Sequence, residues 1–120
     1  MSETQHIQVD ELGDVVIVQF SEKKIIDELV IQEIANELIG LVDQGRKKII
    51  LNFSNVEFLS SAALGKLILM DKKAKANGGE VKLCEINSDI YPVFQITKLD
   101  IRFDIKSRLS EAVAAFAKAE

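Results

Sequence analysis

The 120-residue sequence predicts an α/β domain, with a largely parallel sheet that opens on an antiparallel hairpin and is layered with helices. Three observations carry this. Two alternating β-like runs, His6 to Leu12 and Val15 to Phe20, are separated only by Gly13-Asp14, the composition of a tight hairpin turn. Beyond them, apolar strand-like stretches alternate with segments whose apolar residues recur every three or four positions. Three of those helical segments return between strands, which is the connection that parallel pairing needs.

The elements follow in order. Ser21 to Leu29 is charged and then apolar and points to no single element. From Val30 to Val42 the residues Ile31, Ile34, Ala35, Leu38, Ile39 and Val42 form one helical stripe, which Gly45 ends with Arg46, Lys47 and Lys48 near the end that favours cations. KKIILNF reads as a strand covered on both faces, and Ser54 to Val56 as a turn. Phe58 and Leu59 lead into Ser60 and Ser61, and from Ser61 to Ala76 a stripe of Leu64, Leu67, Ile68 and Ala74 faces inward. Lys66, Asp71, Lys72, Lys73 and Lys75 mostly take the other side. Asn77-Gly78-Gly79 stops the helix. EVKLCEI is the next strand, Asp89 to Ile96 a short helix with Pro92 in its first turn, and IRFDI a last strand. Ser107 is placed to cap a terminal helix that buries Leu109, Ala112, Val113 and Phe116, with Glu111 in its first turns.

Composition narrows the function. One domain spanning residues 1–120 is expected from the length. Fifteen Lys and Arg against 19 Asp and Glu give a net charge of −4 with both signs interspersed, which argues against a nucleic-acid surface. The start MSETQHIQVDELGD lacks the pattern of a signal peptide, and no run reaches membrane-spanning length, so no membrane insertion and a cytoplasmic location are expected. The single cysteine, Cys84, sits in a strand pattern as a small buried hydrophobe. His6, the sole histidine, is assigned a solvated or edge role, and it has no partner for a nucleophilic dyad. Gly65 stands alone within a helix and Gly78-Gly79 follows one, so no phosphate-cradling loop is present. The pairs Asp27-Glu28 and Asp100-Asp104 read as surface charge, and no residue set converges on a metal. The expectation is a protein that is not an enzyme and carries no cofactor or metal.

Ser60 and Ser61 remain. Either hydroxyl can cap the helix by accepting from its free N–H groups, a structural role that needs no function. Either can also be a kinase substrate. A phosphate of charge about −2 would meet unpaired N–H groups and the positive end of the helix, so modification need not unravel the fold.

NVEFLSSAALGKLI resembles the phosphorylation-site segment of the bacterial anti-sigma factor antagonists, the STAS domain proteins, in which a strand end is followed by Asp-Ser-Ser-Gly-Leu-Gly or a relative of it. IILNFSNV resembles the family's central strand and turn, NGGEVKLCEI its next turn and strand, and YPVFQITKLDIRFDI the short helix leading to the last strand. The resemblance implies a STAS-like mixed, mostly parallel sheet of four to five strands with an antiparallel edge hairpin and about four helices. It places the phosphoacceptor at Ser61, with Ser60 a second candidate. Ser60 stands where the family commonly has an aspartate, Ala62 replaces the second serine and Ala63 the glycine, while Leu64 and Gly65 are retained. Asp27 stands where the family usually has an aspartate at the end of the second strand, although Ser21-Glu22 replaces its glycine region.

The function implied is an anti-sigma factor antagonist in a partner-switching system. It would bind an anti-sigma factor or an ATP-dependent serine kinase through Ser60, Ser61 and Ala62, with Asp27, Lys24 and Lys66 as exposed rim contributors, and serine phosphorylation would release it. A serine phosphatase would reverse the modification. Two alternatives stand beside this: a STAS scaffold or interaction module in a signalling complex that is never phosphorylated, and a small ligand-binding α/β domain with a pocket at the strand carboxyl ends.

Overall fold

The computed structural model describes residues 6–118. The first five residues, part of the stretch in which no signal peptide is expected, lie outside them. β1 (Ile7–Leu12) and β2 (Val15–Phe20) form the expected hairpin. Gly13 takes φ +63° while Asp14 stays at negative φ, the type II′ arrangement that matches the twist of two paired strands. β4 (Lys48–Asn52), β6 (Glu80–Cys84) and β7 (Asp104–Lys106) then add in parallel, in the order β1-β2-β4-β6-β7.

Two helices cover one face of this sheet. α1 (Glu28–Asp43) and α2 (Ser61–Ala76) pack against each other and against Val16, Val18, Ile49, Leu51, Val81 and Leu83. α5 (Leu109–Lys118) covers the opposite face, where Ala112 and Phe116 meet Ile50 and Cys84. Ile49, Ile50 and Leu51 are fully buried because β4 is central and has helices on both sides, as its unbroken apolar run indicated. Phe53 joins the layers at the end of β4, its ring 4.9 Å from that of Phe20 and 5.9 Å from that of Phe94. Cys84 is buried as expected, and burial pushes its thiol up to about 12, so it is an inert core residue.

Several expectations are corrected. The ambiguous segment after β2 contains β3 (Lys24–Ile25), which pairs in parallel with β5 (Phe58–Leu59) in a separate two-stranded sheet. α1 begins two residues before Val30, and Leu41 is buried where Ile39 is only half-buried. Asp71 does not face solvent. It is 1% exposed, with Oδ2 3.0 Å from Arg102 Nε and 3.4 Å from Lys75 Nζ, so an ion pair makes an inward carboxylate tolerable. Ile101 and Arg102 belong to a helical turn, α4 (Leu99–Arg102), that follows α3 (Tyr91–Ile96), and the last strand starts only at Asp104. The described residues contain five helices, of which α3 and α4 are short, in keeping with the expected fold. At the start of α5 the Leu109 N–H donates to Glu85 Oε2 at 2.8 Å, so a carboxylate from the end of β6 serves the terminus that Ser107 was expected to cap. No described helix is long and apolar enough to cross a membrane.

Candidate functional site

The two-residue pairing of β3 with β5 is small but decisive for the site. Lys23 C=O accepts from Glu57 N–H at 2.7 Å and Phe58 N–H at 3.1 Å, and Ile25 C=O accepts from Ser60 N–H at 3.0 Å. Each strand runs within a few residues into a helix, so the amino ends of α1 and α2 emerge side by side.

Ser60 and Asp27 are the two caps. Ser60, half-buried with extended backbone, accepts through Oγ from Ala63 N–H at 3.3 Å, while its carbonyl takes the first helical bond from Leu64 N–H. Asp27 does not end the second strand of the sheet, as the resemblance suggested. It caps α1, with Oδ1 accepting from Leu29 N–H at 2.9 Å and Val30 N–H at 3.1 Å. The α1 end also has Glu28 in its first turn, whereas the first turn of α2 carries no carboxylate. The positive end of α2 is therefore uncompensated by any acidic side chain of its own.

Ser61 occupies the first position of α2 and is exposed, as is Ala62 beside it. Lys24 is exposed, with Nζ 5.7 Å from the centroid of the Phe58 ring, a cation-π contact at the rim. Lys66 is half-buried and not exposed as expected. It lines an open groove between α1 and α2 together with Glu28, Leu29, Ile31, Gln32 and Ala62. The structure thus brings Ser60, Ser61, Ala62, Asp27, Lys24 and Lys66 to one end of the molecule.

Three residues at that end escaped the sequence reading. Ile26, Leu29 and Phe58 are 57%, 67% and 55% exposed and frame the two helix ends with apolar surface. Their signal lay in what they fail to match. Leu29 falls off the stripe that starts at Ile31, and Ile26 adjoins a capping aspartate, so neither has a place in the core.

His6 is likewise not a solvated residue. Nδ1 lies 2.6 Å from Glu22 Oε2 and Nε2 lies 2.6 Å from Glu33 Oε1, which ties the start of β1 to the loop before β3 and to α1. Its two ring nitrogens point to different carboxylates. Asp104, read as surface charge, accepts from Lys82 at 2.7 Å on the α5 side of the sheet.

A separate open groove of about 500 Å³ lies beyond the carboxyl ends of β6 and β7, lined by Tyr91, Pro92, Gln95 and Lys106 among others. It shares no residue with the Ser61 surface.

Comparison with known proteins identifies the family and the fold. The family model described as the STAS domain matches residues 6–112. BtrV of Bordetella bronchiseptica, named as a candidate anti-sigma factor antagonist, is 30% identical over 88 residues, covering 73% of this chain and 76% of that protein. The crystal structure of a candidate anti-sigma factor antagonist from Thermotoga maritima superposes with a TM-score of 0.82 at 25% identity, over 93% of this chain and 95% of that one. The Bacillus cell fate determinant SpoIIAA in its phosphorylated form shares the fold, with a TM-score of 0.70 at 20% identity over 92% of this chain and 98% of its own. The mixed sheet with its antiparallel first pair is the fold these neighbours share.

Proposed function

Given that the chain belongs to the STAS domain family, we propose that it is an anti-sigma factor antagonist of a partner-switching system, controlled by phosphorylation of Ser61. The observation that carries this reading is the exposed Ser61 hydroxyl on the first turn of a helix whose amino end lacks any carboxylate of its own. Around it, the exposed Ile26, Leu29 and Phe58 supply the apolar surface that a docked protein would cover.

Unmodified, the chain binds an anti-sigma factor, which is also its ATP-dependent serine kinase or is accompanied by one. Ser61 and Ala62 lie at the centre of the contact, and Asp27, Lys24 and Lys66 tune the encounter from the rim. Transfer of the γ-phosphoryl group of ATP to Ser61 Oγ places about two negative charges there. Free N–H groups and the helix end satisfy the phosphate, so the domain stays folded, while a partner surface complementary to a neutral hydroxyl must now desolvate a dianion. A serine phosphatase restores the binding form. The domain does no chemistry of its own in this scheme. It works in the cytoplasm as a single STAS domain over residues 1–120.

Ser60 is the lesser acceptor because its hydroxyl already serves Ala63 N–H, and phosphorylating it would remove the cap. Incubation with the cognate kinase and ATP, followed by mass spectrometry of residues 58–66, tests the assignment. One phosphate on Ser61, absent from Ser61→Ala, is expected. An unmodified segment under conditions that phosphorylate a related antagonist would overturn it.

A further inference from the structure

The imidazole of His6 is held between two segments that lead to the Ser61 surface. Nδ1 lies 2.6 Å from Glu22 Oε2, Nε2 lies 2.6 Å from Glu33 Oε1, and the side chain is only 13% exposed. Glu22 belongs to the three-residue connection between β2 and β3, and Glu33 to α1. A third carboxylate, that of Glu37 in α1, accepts from the His6 backbone N–H at 3.4 Å. The end of β2 beside them contributes Phe20 and Ser21, which carry no charge. Among the described residues no lysine or arginine pairs with any of the three carboxylates.

Both ring contacts need a donor. The imidazolium has an N–H on each nitrogen, whereas the neutral ring keeps one and presents a lone pair on the other. A lone pair at 2.6 Å from a carboxylate oxygen is repelled, so loss of the proton opens one of the two contacts. Glu33 is fixed within a 16-residue helix whose Ile31 and Ile34 are in the core, while Glu22 stands in irregular backbone. Glu22 is the contact that opens.

What Glu22 steadies is small. Lys23, the next residue, accepts through its C=O from Glu57 N–H at 2.7 Å and Phe58 N–H at 3.1 Å, and Ile25 C=O accepts from Ser60 N–H at 3.0 Å. The β3–β5 ladder has two residue pairs, and a pairing so short is marginal unless it is braced from outside.

We propose that His6 is a proton-operated latch: its charged ring clamps the entry to β3 onto α1, and its neutral ring frees that entry and loosens the β3–β5 pairing that sets the amino ends of α1 and α2 side by side. Burial opposes the charged ring, but the hydrogen bonds to Glu33 and Glu22 outweigh it and raise its pKa above 6.5. The latch is therefore closed in mild acid and opens as pH rises through that raised value. Its bearing on partner docking rests on the function proposed above. The latch itself needs no partner, and the full chain by itself tests it.

His6 is the sole histidine, so NMR of the labelled chain follows its ring directly. A titration from about pH 5.5 to about pH 9.5 brackets an ordinary and a raised histidine. The amide resonances of Lys24, Phe58 and Ser60 are expected to shift with the midpoint of the ring. Glu22→Ala keeps the ring charge and removes the tether, so the ring should still titrate, at a lower midpoint, while the three amides no longer follow it. An effect of the ring's electric field would survive in that variant, and a latch would not. In His6→Asn the amides should show no transition in this span. Wild-type amides that stay fixed while the ring titrates, amides that still follow the ring in folded Glu22→Ala, or the same transition in folded His6→Asn would overturn the proposal.

Discussion

Ser60 N–H donates to the carbonyl of Ile25 at 3.0 Å, which holds the residue that caps α2 close to Asp27, the residue that caps α1. This one bond brings two helix amino ends into a single surface. The caps differ in charge, with a carboxylate on α1 and a hydroxyl on α2, and only the second end is left open to an added anion.

The caps can be separated by substitution. Ser60→Ala removes the acceptor for Ala63 N–H and should cost about 1 kcal/mol, read as a shift in the urea midpoint at constant slope. Ser61→Ala should change stability by less than about 0.5 kcal/mol, since the side chain is exposed and no cap bond is lost. The pair of variants distinguishes a structural serine from a signalling one.

Asp27→Ala leaves Leu29 N–H and Val30 N–H without their acceptor and should cost about 1 kcal/mol, whereas Asp27→Asn keeps the cap and most of that stability. Because Asp27 adjoins the proposed docking surface, Asp27→Asn should also slow association with the partner at low salt more than at high salt, as stopped-flow mixing would show.

His6 predicts a pH dependence. Burial works against the charged ring, yet the hydrogen bonds to Glu33 and Glu22 and the charges of both outweigh it and raise the His6 pKa above 6.5. A raised folded pKa means that the charged ring stabilises the fold fully below the unfolded value and loses that effect as pH rises through the folded one. The stability difference between wild type and His6→Asn should therefore be larger near about pH 6 than near about pH 9, in urea titrations at both values.

Lys82 is buried on the α5 side of the sheet, 2.8 Å from Glu80, 2.7 Å from Asp104 and 4.7 Å from the centroid of the Phe116 ring. Desolvation works against the Asp104 carboxylate, but Lys82 and then Lys106 hydrogen-bond to it and hold its pKa below the usual value. That contribution is present above the unfolded pKa and is lost as pH falls through the folded one. Asp104→Ala leaves the buried Lys82 charge with Glu80 alone, so it should destabilise more than Lys82→Met, in which the buried charge itself disappears. Thermal unfolding at neutral pH compares them directly.

Much of this architecture was legible because it is written in local periodicity. Gly13-Asp14 between two alternating runs gave the hairpin, and Ile49, Ile50 and Leu51 marked a strand covered on both faces. What periodicity could not show were interactions between distant segments. Asp71 looks solvated by type and spacing, and its burial is tolerable because Arg102, 31 positions away, joins Lys75 beside its carboxylate. His6 looks marginal until Glu22 and Glu33 converge on it. β3 and β5 are too short to show any pattern, although their pairing positions the candidate site. The placement of Ser61 came from the motif, while the apolar frame of Ile26, Leu29 and Phe58 required the fold, since apolar type alone does not distinguish a core residue from an exposed one.

The most direct test is calorimetric titration of the anti-sigma factor into the unmodified chain and into the same chain phosphorylated stoichiometrically on Ser61, with folding of both verified by circular dichroism. Tight binding of the unmodified form and a loss of about a hundredfold or more on phosphorylation are predicted. Equal affinities for the two folded forms would contradict the account.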